Sequence, residues 1–510
     1  MKDNAPAQLP ASGARDRMRA SAHPVFAGQI LSPIFEFNCE HYFAPLLAAH
    51  RAWLAMLVER GIVGRKQAAL IFHGLDALQS AGPEAVRPFD PAVEYYYLHV
   101  ERALVSLVPG GEAAVGDLNL GRTRPEPLGR MMVRARLLRV LNLVIDLRAV
   151  LLARGKTEAE TVMPGYTHLQ HAQPTTLGHY LLAIHDHLER DTERLLAALE
   201  VTDRCTLGCG AMSGTSLPVD RDRVRRLLGF RELCENTIDS VAATDHLTAA
   251  AAALASVMTV LGRLCQDLYI WSSQEFALID VTDEFSSPSS LMPQKKNALV
   301  LEYLRSRTAR TVGSLTGCFA VVHNVGYMDT EEVELECYLP LLDCFAYSEQ
   351  SLPTMAEILR KLRPNRELMY ARAASGFSTV TALAEMIQSE QGISYRSAHR
   401  VVARAVLLAV EQGRTATGID GAMLDQAATE TIGRPLSLGD ARIGACLEPS
   451  SFVRAHAGVG ATAPAQVQSM AAEREVRLRA DREGIAAREK VIRDGESMLA
   501  EVVAGIVASA

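Results

Sequence analysis

LTAAAAALASVMTVLGRLCQDLYIW, running from Leu247 to Trp271, is the stretch on which the fold turns. Its uncharged run stops at Arg263, close to the lower limit for crossing a bilayer, and it is rich in alanine rather than leucine. Asp245, His246 and Asp267 flank or interrupt it. These features predict a helix buried in close contact with other helices rather than a membrane span. A helix that is apolar on most faces has to be surrounded. The stretch belongs to a longer apolar-rich segment, Asp239–Trp271, and four more supply its neighbours: Leu128–Arg154, Thr176–Glu200, Leu291–Val322 and Glu331–Lys361. Their periodicity predicts five long helices packed as one bundle. Strand-like alternation bounded by hairpin turns is hard to find anywhere. Apolar faces that one bundle leaves uncovered fall to other subunits, so the pattern also predicts an oligomer.

The rest of the composition agrees with a globular chain. Its 510 residues exceed what a single core carries, and 48% apolar with 22% charged residues is enough to fill more than one. Asp plus Glu is 59 against 52 for Lys plus Arg, a net charge of −7. That balance offers no basic stripe for nucleic acid or an anionic membrane. Nine scattered cysteines make no zinc spacing and no disulfide framework, and point to a reduced, cytoplasmic protein. No metal is expected. The first 26 residues lack the apolar core of a secretory signal, and residues 1–20 read as a flexible N-terminal arm. Residues 471–510, with EREVRLRADREGIAAREK, read as a charged C-terminal helix with a solvated face.

Pro- and Gly-containing breaks fall at Val108–Gly111, Met163–Gly165, Leu207–Pro218 and Ser286–Pro293, at junctions between helices where bundle proteins place working residues. Three clusters there carry chemistry. SSPSSLMPQKKNALVLEYLR, Ser286–Arg305, sets serines beside two lysines and an asparagine ahead of a helix. A serine beside lysine can act as base or nucleophile, and lysine and amide donors can hold a developing oxyanion. MPGYTHLQHAQPTTLGHY, Met163–Tyr180, packs Thr167, His168, Gln170, His171 and Gln173 between two bundle helices, where such a run can bind substrate or shuttle protons. Gly121-Arg122-Thr123-Arg124 suits a carboxylate clamp.

MPGYTHLQHAQPTT closely resembles the histidine segment of argininosuccinate lyase, and SSLMPQKKN resembles the signature loop of the fumarase/aspartase superfamily in its argininosuccinate-lyase form. The resemblance runs through LGCGAMSGTSLPVDRDRVRRLLGF, LYIWSSQEFALIDVTDEFSS and GFSTVTALAEMIQSEQGISYRSAHRVVARAV to HAGVGATAPAQV, about residues 50 to 470. It implies an all-α, three-domain subunit with a long central helical bundle, assembled into a homotetramer with a twenty-helix core and active sites shared between subunits. The implied division is an N-terminal helical domain (21–120), the bundle (121–365) and a C-terminal helical domain (366–470). The implied reaction is cofactor-free β-elimination that breaks a C–N bond to a succinyl group and releases fumarate. Ser289 matches the catalytic base. Lys295 and Asn297 match the residues that stabilise the aci-carboxylate, with Ser290 and Met292 beside them in the same loop. Thr167 and His168 match a substrate-binding pair, with Gln170 close by, and Glu302 matches the acid that holds the histidine. Thr123 and Arg124 match carboxylate contacts of a third loop.

The sequence also departs from the family. Pro288 stands where a glycine precedes the serine, Ala298-Leu299 replaces Pro-Asp, and Pro125-Glu126 replaces Asn-Asp. After Tyr327 the family reads roughly Tyr-Asn-Lys-Asp-x-Gln-Glu-Asp-Lys, whereas this chain has Glu332 for the glutamine and Leu335 for the lysine that would grip an α-carboxylate. Five acids, Asp329, Glu331, Glu332, Glu334 and Glu336, stand there without a lysine; they suit a cationic amine, or simply a solvated helix start. The expectation is therefore a lyase for an N-succinyl amine other than argininosuccinate, acting in either direction. Authentic argininosuccinate lyase and an inactive structural homologue are the alternatives.

Overall fold

The computed structural model describes residues 21–123 and 126–510; the expected arm at 1–20 and the pair Arg124 and Pro125 lie outside the described residues. The chain is all-α in architecture, built on five long helices: Leu128–Thr157, Leu177–Thr202, Asp245–Trp271, Leu299–Val322 and Tyr338–Lys361. Asp245–Trp271 packs against the Leu177, Leu299 and Tyr338 helices. Among the described residues it is the one helix long and apolar enough to span a membrane, and here it lies largely buried inside the bundle. Small residues permit the close approach. A Cβ on Gly262 would sit 2.8 Å from the Thr308 side chain, and one on Gly178 would sit 2.3 Å from the backbone oxygen of Gly155. Burial of these apolar faces, at about 25 cal/mol per Å², is the main force holding the bundle together.

Several boundaries differ from the periodicity. The segment expected from Asp239 divides into a short Thr237–Ala242 helix and the long one from Asp245. The segment expected from Leu291 becomes helical only at Leu299, because Met292-Pro293 and the residues after it form a loop. Ahead of Tyr338 the backbone winds one π-turn, Glu332–Glu336. The last helix starts at Pro464, not near Ala471, and continues to Ala508. It buries Leu478, Ile485, Leu499 and Ile506 in the main core, beside Phe43–Glu59, Arg65–Ala81 and the Leu128 helix. A separate apolar core gathers residues of the helices Val380–Gln391, Tyr395–Glu411, Gly421–Ile432 and Asp440–Leu447.

The histidine-rich run is the largest correction. It is an antiparallel β-hairpin, Val162–Thr167 against Gln170–Thr176, where no strand was expected. Its turn is the pair His168-Leu169, with φ of 56° and 59°. Two successive left-handed residues match the right-handed twist of paired strands. Asn-Gly is the usual signal for such a turn, and here a histidine and a leucine take its place. Thr176 then caps the next helix, its hydroxyl accepting from the His179 N–H at 3.0 Å.

Candidate active site

The serine loop is pinned at its base and open at its tip. Ser287–Pro288 pairs antiparallel with Lys296–Asn297, so Pro288 takes a strand position opposite Lys296. Asn297 Nδ2 donates to the Ser287 carbonyl at 3.2 Å. Lys296 Nζ reaches Asp280 at 2.7 Å and Asp283 at 2.8 Å. Between these anchors, Ser289 Oγ accepts the backbone N–H of Met292 at 3.0 Å and that of Leu291 at 3.3 Å. Hydrogen bonds to the charged form of an oxygen favour its ionisation. Ser290, Met292 and Lys295 are exposed, and Lys295 pairs with no carboxylate among the described residues. Its ammonium stands in the same loop as the serine, ready for an anion.

At the hairpin tip Thr167, His168 and Gln170 are all exposed. Tyr166 and His171 behind them meet edge to face, their centroids 5.5 Å apart. Glu302, in the first turn of the Leu299 helix, accepts from the Tyr269 hydroxyl at 3.3 Å rather than from His168. His168, on the tight turn at the hairpin tip, is presented to solvent.

The third group surrounds a cavity whose lining includes Thr123, Glu126, Arg130, His246, Asp329, Glu334 and Tyr338. Glu126 accepts the amides of Gly208 (2.7 Å) and Cys209 (3.2 Å), and the Cys209 thiol. Burial nonetheless pushes its carboxyl up to about 7. Glu334 accepts from the Tyr97 hydroxyl at 3.1 Å and is also pushed up to about 7, by burial and then by Asp329 and Glu331. His246 is fully enclosed; burial holds its pKa well below the usual histidine value, with the charge of Arg130 adding to the effect. Its Nε2 lies 3.1 Å from the Tyr338 hydroxyl. The five acids thus divide: Asp329 and Glu334 face this cavity, Glu331 an adjoining cleft, and Glu332 and Glu336 solvent. Leu335 is buried, 4% exposed, against the same cleft as Phe35 and Tyr96. Tyr327 is exposed and donates to Asp239 at 2.7 Å.

No hydrogen bond or ion pair between described residues joins the serine loop, the hairpin tip and the Thr123 cavity within one subunit. The sequence motifs pointed to all three groups. They did not point to Arg130, His246 or Tyr338, which sit inside apolar helical stretches where only packing distinguishes a structural residue from one that faces a cavity.

Residues 30–313 match the family model described as lyase, and residues 377–463 match the argininosuccinate lyase C-terminal model. Argininosuccinate lyase of Methanothermobacter thermautotrophicus (strain Delta H) is 35% identical over 432 residues, 84% of this chain and 91% of that protein. A variant of EDDS lyase with bound fumarate is 30% identical with a TM-score of 0.83, covering 96% of this chain and 97% of that one. Class II fumarase from Schistosoma mansoni, 17% identical with a TM-score of 0.64 over 80% of this chain and 90% of that chain, shares the fold. Helical bundle, signature loop and these likenesses together define a carbon–nitrogen lyase. The chain belongs to the argininosuccinate-lyase-like branch of the fumarase/aspartase superfamily.

Proposed function

We propose that this lyase releases fumarate from an N-succinyl amine other than argininosuccinate, or adds that amine to fumarate in reverse. The observation that carries the reading is the segment after Tyr327. Where the family has a glutamine and a lysine on the amine side, this chain has Glu332 in solvent and Leu335 buried. Leu335 offers nothing to the α-carboxylate of an arginine. The likeness to EDDS lyase over nearly the whole chain, with fumarate bound in one such structure, supports a fumarate-forming reaction on a different amine.

In this reading Ser289 takes the proton from the carbon beside a carboxylate. That proton is barely acidic, because its loss puts a second negative charge on the carboxylate. Lys295 and Asn297 receive that charge, and removing one such donor typically costs about 3–4 kcal/mol of barrier. The amide donors on Ser289 Oγ lower the cost of ionising it, and closure of the loop would exclude water. His168 serves proton transfer, and Glu302, which takes the Tyr269 hydroxyl within one subunit, would hold it only across the assembled site; Thr123, Arg124, Thr167 and Gln170 hold substrate. Ser290, Met292 and Tyr327 line the approach.

No hydrogen bond or ion pair between described residues joins these groups within one subunit, and other copies are proposed to complete the site, in a homotetramer. Tyr303, Val312 and Phe319, exposed at 59%, 44% and 50% on the Leu299–Val322 helix, supply apolar surface for it.

Fumarate absorbance with purified enzyme tests the reading. Turnover of an N-succinyl amine, with argininosuccinate rejected, is expected. Rapid fumarate release from argininosuccinate alone overturns it and makes the enzyme an argininosuccinate lyase.

A further inference from the structure

Arg130 and Arg134 lie one turn apart on the same face of the Leu128–Thr157 helix, and both are buried, 6% and 4% exposed. Arg134 is fully answered. It pairs with Asp203 at 3.0 Å, donates to the carbonyls of Leu228 and Gly229, each at 3.0 Å, and lies over the ring of Phe230. Arg130 is not. Its Nη1 donates to the Val201 carbonyl at 2.8 Å, and it pairs with no carboxylate among the described residues. The side chain lines the Thr123 cavity. A guanidinium keeps its charge across the physiological range, and a buried charge without a counter-ion is strongly unfavourable. A cavity walled by such a group presents a place for an anion.

The other groups on the cavity wall agree. His246 Nδ1 is buried without a partner, and its ring, 4% exposed, belongs to the same wall. Nε2 is engaged with the Tyr338 hydroxyl, so Nδ1 is the ring atom left for a ligand; in the tautomer whose Nε2 accepts from that hydroxyl, Nδ1 is a second donor beside Arg130. The Thr123 hydroxyl is a third. The acids do not serve as the missing counter-ion: Glu126 is taken up by Gly208 and Cys209, Glu334 by Tyr97, and burial raises both toward neutrality. Asp329 faces the cavity too, but no ion pair joins it to Arg130. Asp329, Val333 and Glu334 of the amine-side segment share this wall with Arg130, which places the anion on that half of the substrate.

We infer that Arg130, with His246 beside it, holds a carboxylate on the leaving amine, so that the substrate is an N-succinyl amino acid rather than an N-succinyl alkylamine or diamine. The inference rests on the fumarate-releasing reading above. It restores, from a different helix, the cation that Leu335 removes, and the shift in position accounts for a change of amine rather than loss of the carboxylate. The planar fork of arginine suits a carboxylate through two parallel hydrogen bonds.

The test is fumarate release by full-length enzyme from two panels, N-succinyl amino acids and N-succinyl alkylamines of similar size, for wild type, Arg130→Met and Arg130→Lys. Wild type is expected to prefer the first panel by about 100-fold or more, since a site built for a polar group rejects the analogue lacking it. Arg130→Met is expected to lose that preference mainly through KM, with alkylamine turnover changed less than about threefold and inhibition by fumarate unchanged. Arg130→Lys should recover part of it. Circular dichroism confirms folding of each variant. If Arg130→Met fails to fold, product inhibition of wild type by free amino acids against alkylamines gives the same comparison without a variant.

Equal losses on both panels, with weaker fumarate inhibition, overturn the inference by assigning the carboxylate to the succinyl half. Unchanged kinetics in a folded Arg130→Met overturn it by making Arg130 purely structural. No fumarate from any N-succinyl compound with wild type overturns the functional reading itself, which the variant comparisons cannot do.

Discussion

Arg148 Nη1 lies 2.6 Å from Asp481 Oδ2, a bond between the middle of the bundle and a residue 333 positions further along the chain. The guanidinium has no exposed surface, and it also reaches Glu189 at 3.1 Å and Thr192 at 3.0 Å. A charged helix that reads as a solvated tail is thereby a structural member of the subunit. Removing one partner of a buried ion pair leaves the other partly unanswered, and because Glu189 remains, Asp481→Ala is expected to cost about 2–4 kcal/mol. Urea unfolding measures it; an unchanged midpoint would show that the helix contributes nothing there.

Gly178 sits at the crossing of the Leu128 and Leu177 helices. A Cβ there would lie 2.3 Å from the Gly155 carbonyl oxygen and 2.8 Å from the Ala159 backbone. Backbone cannot rotate out of the way as a side chain can. Gly178→Ala is therefore expected to destabilise by about 2 kcal/mol or more, whereas Gly484→Ala, exposed on the last helix and meeting nothing within 4 Å, should be stable or slightly stabilising. Thermal melts of the two variants side by side check this.

The pH dependence of stability has a defined sign. The Glu126 carboxyl, 7% exposed, is pushed up to about 7 from a starting value of 4.5. Between those values the folded state keeps a proton that the unfolded chain has released, so stability from this group is complete below about 4.5 and is lost as pH rises through about 7. The full change is roughly 3 kcal/mol, and Glu334 adds to it in the same direction. Glu126→Gln removes the Glu126 share, so the fall in unfolding free energy between pH 5 and 7.5 should shrink. An identical slope in the variant contradicts this account.

In the serine loop, Ser289→Ala is expected to lower fumarate formation by at least about 10³-fold and Lys295→Met by about 10²–10³-fold, both folded, because in the proposed mechanism the first loses the base and the second a donor to the developing charge. Lys296→Met acts differently. It cuts the ties to Asp280 and Asp283 that anchor the loop, so kcat should fall by about tenfold or less while the melting temperature stays within a degree or two. Steady-state kinetics paired with melts separate the three.

Much of this molecule was legible before any coordinates. Five apolar stretches of helical period demand mutual burial, and all five bundle helices appear within those stretches or within a few residues of them. The hydroxyl, amine and imidazole groups that suit an elimination cluster at loop motifs, and through the resemblance those motifs carry the class of lyase was legible as well. The hairpin was not. Its turn, His168-Leu169, takes two left-handed residues without glycine or asparagine, and the tertiary frame rather than local propensity holds them there.

Arg130 and Arg134 mark the deeper division. In sequence they are two arginines four apart on one helix. Only the folded chain brings Asp203, from 69 residues away, to Arg134 and, among the described residues, brings no carboxylate to Arg130. The periodicity of side chains along a helix is a local property, set by 3.6 residues per turn, so the sequence alone decides the helices and their apolar faces. Which buried charge is answered depends on long-range approach, and the tertiary structure decided that.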